Sequence, residues 1–251
     1  MRFLVLLFFV CFFSNFSSAQ LAIINDKDGY VNVREEKTTK SDIIGRVFDG
    51  DIFMVASDYD TDNWWNIFYS TTLSQLEQYK KNYYVETLNY NSENIYIQGY
   101  IHKSRFILIE NIPSISKEHC ERTSNSVVIE NDSIVLQIET AAFNEKKHTI
   151  KKNQSGFVVS IDNLEPKGVD GSLPNIEITN LSLSINNKII NFEKSHFIDL
   201  YEPNLELINL HFDSNGNWIL YMPYNSDGAG GYFAAWLIKD NVVVRRYVDS
   251  L

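Results

Sequence analysis

The chain has 251 residues, 44% of them hydrophobic and 22% charged, a balance that supplies a core and excludes a disordered or collagen-like polymer. The length suits one large domain or two small ones. Its 22 Lys and Arg against 32 Asp and Glu give a net charge of −10, which argues against nucleic acid, because that affinity rests on a basic surface neutralising phosphates.

Residues 1–19 read as an export signal. Arg2 precedes an apolar run from Phe3 to Phe13, and Ser17 and Ala19 place small side chains where a signal peptidase accepts them, ahead of Gln20. A bilayer span takes about 20 apolar residues, more than this run supplies. Cys11 lies inside the run rather than just after the cut, where lipid attachment needs it. A secreted or periplasmic location is therefore expected. Cleavage removes Arg2 and no acid, taking the net charge to −11, and leaves Cys120 without a partner for an internal disulfide. No later apolar segment is long enough to span a membrane.

From Ile23 to Ile109 the pattern predicts short strands between turns. Val31 and Val33 alternate with Asn32 and Arg34. Asp49-Gly50 is a turn signal between the apolar runs Ile43–Val47 and Ile52–Val55. Trp64–Tyr69 is the next strand. Residues 70–94 are polar and Tyr-rich and read as an insertion with a turn or two of helix around Leu73, Leu76 and Tyr79. Ile95–Ile101 resumes the sheet.

The order Gly29-Tyr30-Val31-Asn32-Val33-Arg34, Gly45, Asp49-Gly50, Trp64-Trp65-Asn66-Ile67 and Gly99-Tyr100-Ile101 resembles a bacterial SH3 (SH3b-like) domain over residues 23–109. The resemblance implies a small β-barrel in which the Val residues and Ile67 fill the interior, Gly45 and Gly50 turn corners, and Gly99 sits where strands pinch together. It also implies an exported module that engages peptidoglycan or a protein segment. The 70–94 insertion and Glu35-Glu36-Lys37 depart from the pattern where such a domain holds its ligand loops.

Pro113–Asn125 is polar without apolar periodicity, and 111–125 reads as a linker. Residues 126–251 predict a second β-domain, an antiparallel sandwich or curled sheet, with turns at Asn186-Asn187, Asn215-Gly216, Asn225–Gly231 and Asp240-Asn241. That half resembles no known family.

Chemical motifs are sparse. Asp58, Asp60 and Asp62 are spaced like the start of a calcium loop, but Asn63 stands where Gly is needed and Tyr69 where Glu is needed. Asp213, Asn215 and Asn217 fail in the same way. The glycine loop Asn225–Gly231 lacks the Gly-Lys-Ser/Thr ending and the helix of a phosphate loop, so a turn with several positive φ angles is expected. His119-Cys120 lies in the linker, without the placed base a thiol nucleophile needs. His102, His119, His148, His196 and His211 lack metal-ligand spacing. Neither a catalytic residue, a metal nor a cofactor is predicted.

Aromatic residues exceed what a small barrel can bury, and an exposed aromatic shelf suits sugars or extended peptides. Trp64, Tyr69, Tyr83, Tyr84 and Tyr100 are the candidate ligand-binding residues. The expected function is an exported, non-catalytic binding protein for peptidoglycan or a peptide. The alternatives are a cell-wall hydrolase with an unrecognised site in 126–251, or a periplasmic inhibitor or immunity-type protein steered by its acidic surface.

Overall fold

In some strands apolar side chains alternate with polar ones, in others they run unbroken, and this difference sets the layers of the molecule. The computed structural model describes residues 20–56, 63–72, 94–115 and 120–250. The expected signal segment, most of the 70–94 insertion and Asp58, Asp60 and Asp62 lie outside them. The architecture is all-β, and the described residues contain no helix of seven or more residues. Nor is any of their helices long and apolar enough to cross a membrane.

Seven strands, β1 (Gln20–Ile24), β2 (Tyr30–Arg34), β3 (Ile43–Phe48), β4 (Ile52–Ala56), β5 (Trp64–Thr72), β6 (Asn94–His102) and β7 (Phe106–Leu108), form one curled sheet. Its order is β3-β2-β6-β5-β4-β1-β7. The Asp49-Gly50 signal does make a turn, with Gly50 at φ +85°. It is not a hairpin, however: β3 pairs with β2, while β4 leaves the corner to pair with β1 and β5. Inside the curl lie Val31, Val33, Val47, Phe53, Val55, Ile67 and Ile101. Gly99 sits at the pinch. A Cβ there would lie 2.6 Å from Ile44, 2.7 Å from Val33 and 2.8 Å from the Arg34 carbonyl, so no larger residue fits.

An outer sheet holds β8 (Cys120–Arg122), β9 (Ser126–Asn131), β10 (Ile134–Ala142), β13 (Ile176–Ile185) and β14 (Lys188–Ile190), in the order β14-β13-β10-β9-β8. Beside it lies the ribbon of β11 (Ile150–Lys152) and β12 (Val158–Ile161). The last strands, β15 (Asn209–Phe212), β16 (Trp218–Asn225), β17 (Tyr232–Lys239) and β18 (Val242–Ser250), form an antiparallel sheet in chain order. Asn186-Asn187 and Asp240-Asn241 are two-residue hairpin turns with positive φ at both positions, as their amide side chains and short loops predict.

The β15–β18 sheet is the central layer. From β17, Ala234, Trp236 and Ile238 meet the outer sheet, joined by Leu220 and Met222 of β16. The intervening Phe233, Ala235 and Leu237, with Ile219 and Tyr221, meet Leu21, Ile23, Ile52 and Met54 of the curled sheet. Strands β1, β4 and β17 are therefore apolar without alternation, because both of their faces are covered.

The segment expected as a linker takes part in this packing. Ile112 is buried, Ile115 N–H donates to the Leu210 carbonyl at 3.0 Å, and Phe212 N–H donates to the Pro113 carbonyl at 2.9 Å. His211, 4% exposed, donates through Nδ1 to the Ile112 carbonyl at 2.8 Å. Burial holds its pKa below the usual 6.5, against the opposing pull of that carbonyl and of Glu110. Cys120, whose Sγ accepts from Arg122, sits on β8 rather than in a loop, and His119 lies outside the described residues.

Two outcomes are expected. Phe233→Ala empties a fully buried site at the junction and costs about 3–5 kcal/mol in urea unfolding, with both halves melting in one transition. Because the folded chain favours neutral His211, its contribution is present above pH 6.5 and is lost as pH falls through the lower folded value. His211→Gln removes that component from thermal unfolding measured between pH 8 and about pH 5.

Candidate functional site

Period-two geometry sorts the aromatic residues of β5 and β6 onto opposite faces. Trp65, Ile67 and Tyr69 point into the curl, and Trp65 packs on Phe106 with ring centroids 5.4 Å apart. Trp64 points outwards, its indole edge-on to His102 at 5.4 Å. Asn66, Tyr100 and His102 pair along the same outer face.

Tyr69 is thus not a surface contact. It is 7% exposed, and its hydroxyl donates to Asp51 at 2.7 Å. Trp64 and Tyr100 do share the outer face, and the Lys37 ammonium lies 5.4 Å from the centre of the Tyr100 ring. Tyr83 and Tyr84 lie outside the described residues.

Trp64 lines a cleft of about 380 Å³ together with Asp26, Tyr30, Arg34, His102 and Arg105, among others. The turn after β1 contributes Asp26, β2 contributes Tyr30 and Arg34, and the turn after β6 contributes Arg105. Asp26 accepts the Asp28 N–H at 3.0 Å and pairs with Arg105. The backbone donor first, and then Arg105 against the opposing effect of burial, hold its carboxyl below the usual carboxylate range. Arg34 donates to the Ser41 carbonyl at 2.7 Å, which fixes the β2–β3 loop. The Arg46 guanidinium covers the Tyr30 ring at 4.4 Å while donating to Asn32 at 3.0 Å.

Carboxylates, guanidinium groups, an imidazole and an indole therefore line one cleft. Such a surface can stack an apolar face and pair both signs of charge on one extended ligand. His102 and Ser104 are 2.9 Å apart, but Nδ1 also accepts the Ser104 N–H as a cap, and among the described residues no carboxylate orients Nε2.

Two clusters escaped the sequence reading because their members are far apart in the chain. Asp51, 5% exposed at its side chain, accepts the Phe48 N–H at 2.9 Å, the Tyr69 hydroxyl and, at 3.0 Å, Arg245 of β18. It joins the curled sheet to the central one. His148 lies between Asp162 at 2.7 Å and Glu177 at 3.0 Å, stacked on Phe143 at 4.7 Å. A carboxylate thus faces each of its ring nitrogens. The cluster ties the β11–β12 ribbon to β13.

The Asn225–Gly231 loop holds no phosphate-loop geometry. Ser226 and Gly228 adopt φ +59° and +62°, and Gly230 passes against the Gly168-Val169 backbone, where a Cβ would meet it at 3.0 Å. Asp213 accepts the backbone N–H groups of Asn215 and Asn217, both at 2.8 Å, so its carboxylate serves the turn. Among the described residues no three His, Cys, Asp or Glu side chains group to hold a metal.

Comparison with protein-family models, curated proteins and solved structures finds no match to this chain. Asp51→Ala is expected to cost about 2–4 kcal/mol in chemical unfolding, because it removes a buried carboxylate that accepts from the Phe48 N–H, the Tyr69 hydroxyl and Arg245. A smaller cost in Asp51→Ala/Tyr69→Phe than the two single costs added together identifies the coupling.

Proposed function

We propose that this chain is an exported, non-catalytic binding protein whose curled N-terminal sheet works as an SH3-like module. Its ligand is peptidoglycan or an extended protein segment, held across the cleft between Trp64 and the Asp26–Arg105 pair. The observation that carries this reading is the outward Trp64 indole, edge-on to His102, at a mouth bearing both signs of charge. Peptide segments and the peptide stems of cell walls offer that combination of short apolar groups, carboxylates and amines. The cleft rests on a sheet backed by the filled interior of the curl, so little ordering entropy opposes binding.

Co-sedimentation of the chain from Gln20 onward with purified sacculi tests the proposal. Retention is expected for the native protein and a loss of about tenfold in affinity for Trp64→Ala, the size of one aromatic contact. Equal retention of the two proteins removes the cleft from the reading. No retention of either removes the cell wall and leaves a protein segment as the ligand to seek.

A further inference from the structure

We propose that a second cleft, where the turns of the outer sheet overhang the start of β16, binds a neutral pyranose oligosaccharide. Its volume is about 760 Å³, and its walls are Trp218 and the turns that carry Asp132-Ser133 and Asn186. Phe212 lies opposite Trp218 in the β15–β16 register, with ring centroids 4.5 Å apart and planes inclined by 40°. Trp218 is anchored on one side by the apolar core, whereas Phe212 is 44% exposed. The indole N–H of Trp218 has no protein acceptor among the described residues. The Trp218 ring in the cleft wall, its open donor and the exposed Phe212 ring beside it fit the C–H face and the hydroxyl groups of a pyranose ring.

The polar rim is built in advance. Asn186 N–H donates to the Ser133 carbonyl at 2.6 Å and Ser133 N–H donates to the Asn131 side chain at 2.9 Å, so the two turns hold one another. Glu130 and Asp132 line the cleft and, among the described residues, no Lys or Arg does. Their carboxylates accept hydrogen bonds from sugar hydroxyls and repel uronates, sulfates and phosphates. A peptide is the poorer fit: it gains most from an open sheet edge, whereas here strands end in turns.

The probes are tetra-N-acetylchitotetraose, which is neutral, and tetragalacturonate, which is anionic. Each is titrated into the ¹⁵N-labelled chain from Gln20 onward while the indole N–H resonances are followed. The Trp218 resonance, assigned by its loss in Trp218→Phe, is expected to shift with the neutral sugar at millimolar concentration and to stay put with the anionic one. Phe212→Ala removes an exposed ring, so the fold survives, and it is expected to weaken the neutral sugar about tenfold. Asp132→Lys admits the anionic sugar. The proposal is overturned by a Trp218 resonance that ignores the neutral sugar, by Phe212→Ala binding as well as the native chain, or by equal response to both sugars.

Discussion

The central sheet is buried on both faces, and the remaining architecture follows from that constraint. Each large apolar side chain moved out of water contributes about 1.5–3 kcal/mol, whereas an exposed ion pair contributes about 0–1 kcal/mol. The row Phe233, Ala235 and Leu237 on one side and the row Ala234, Trp236 and Ile238 on the other therefore hold three layers with one set of strands. The chain lays down the curled sheet first, the outer sheet second and the middle last. Neither flanking sheet has its apolar face fully covered until residues 209–250 are in place between them.

Apolar contact alone is non-directional, and polar groups fix how the layers are registered. Asp51 does this at the junction of the curled and central sheets. It fastens the corner after β3, the inward Tyr69 and Arg245 of β18 to one carboxylate. His211 does the same for the strap at residues 112–115, and His148 for the β11–β12 ribbon. All three join segments distant in sequence and all three are well shielded from water.

The two clefts sit on opposite outcomes of this packing. The Trp64 cleft occupies the outer face of β5 and β6, at the mouth of a curl whose interior is filled, and it carries both signs of charge. The Trp218 cleft occupies the end of the stack, where hairpin turns stop short of covering the last aromatic pair, and it carries the carboxylates of Glu130 and Asp132. A rigid strand carries the indole in each case.

By itself the sequence determined the all-β class and the two-residue turns at Asn186-Asn187 and Asp240-Asn241, because these rest on local rules: period-two alternation and amide residues that accept positive φ. Alternation also separates Trp64 from Tyr69, which are five residues apart and so fall on opposite faces. Composition alone points Tyr69 to the surface, whereas parity puts it in the core. The tertiary structure decided what covers each face. An unbroken run such as Ile52–Val55 or Tyr232–Ile238 announces that both faces are buried but carries no information about the partner, which is supplied by strands up to two hundred residues away. For the same reason the Asp51 and His148 clusters and both clefts became visible only in three dimensions. Their members share no spacing, and only the stacking of the sheets brings them together.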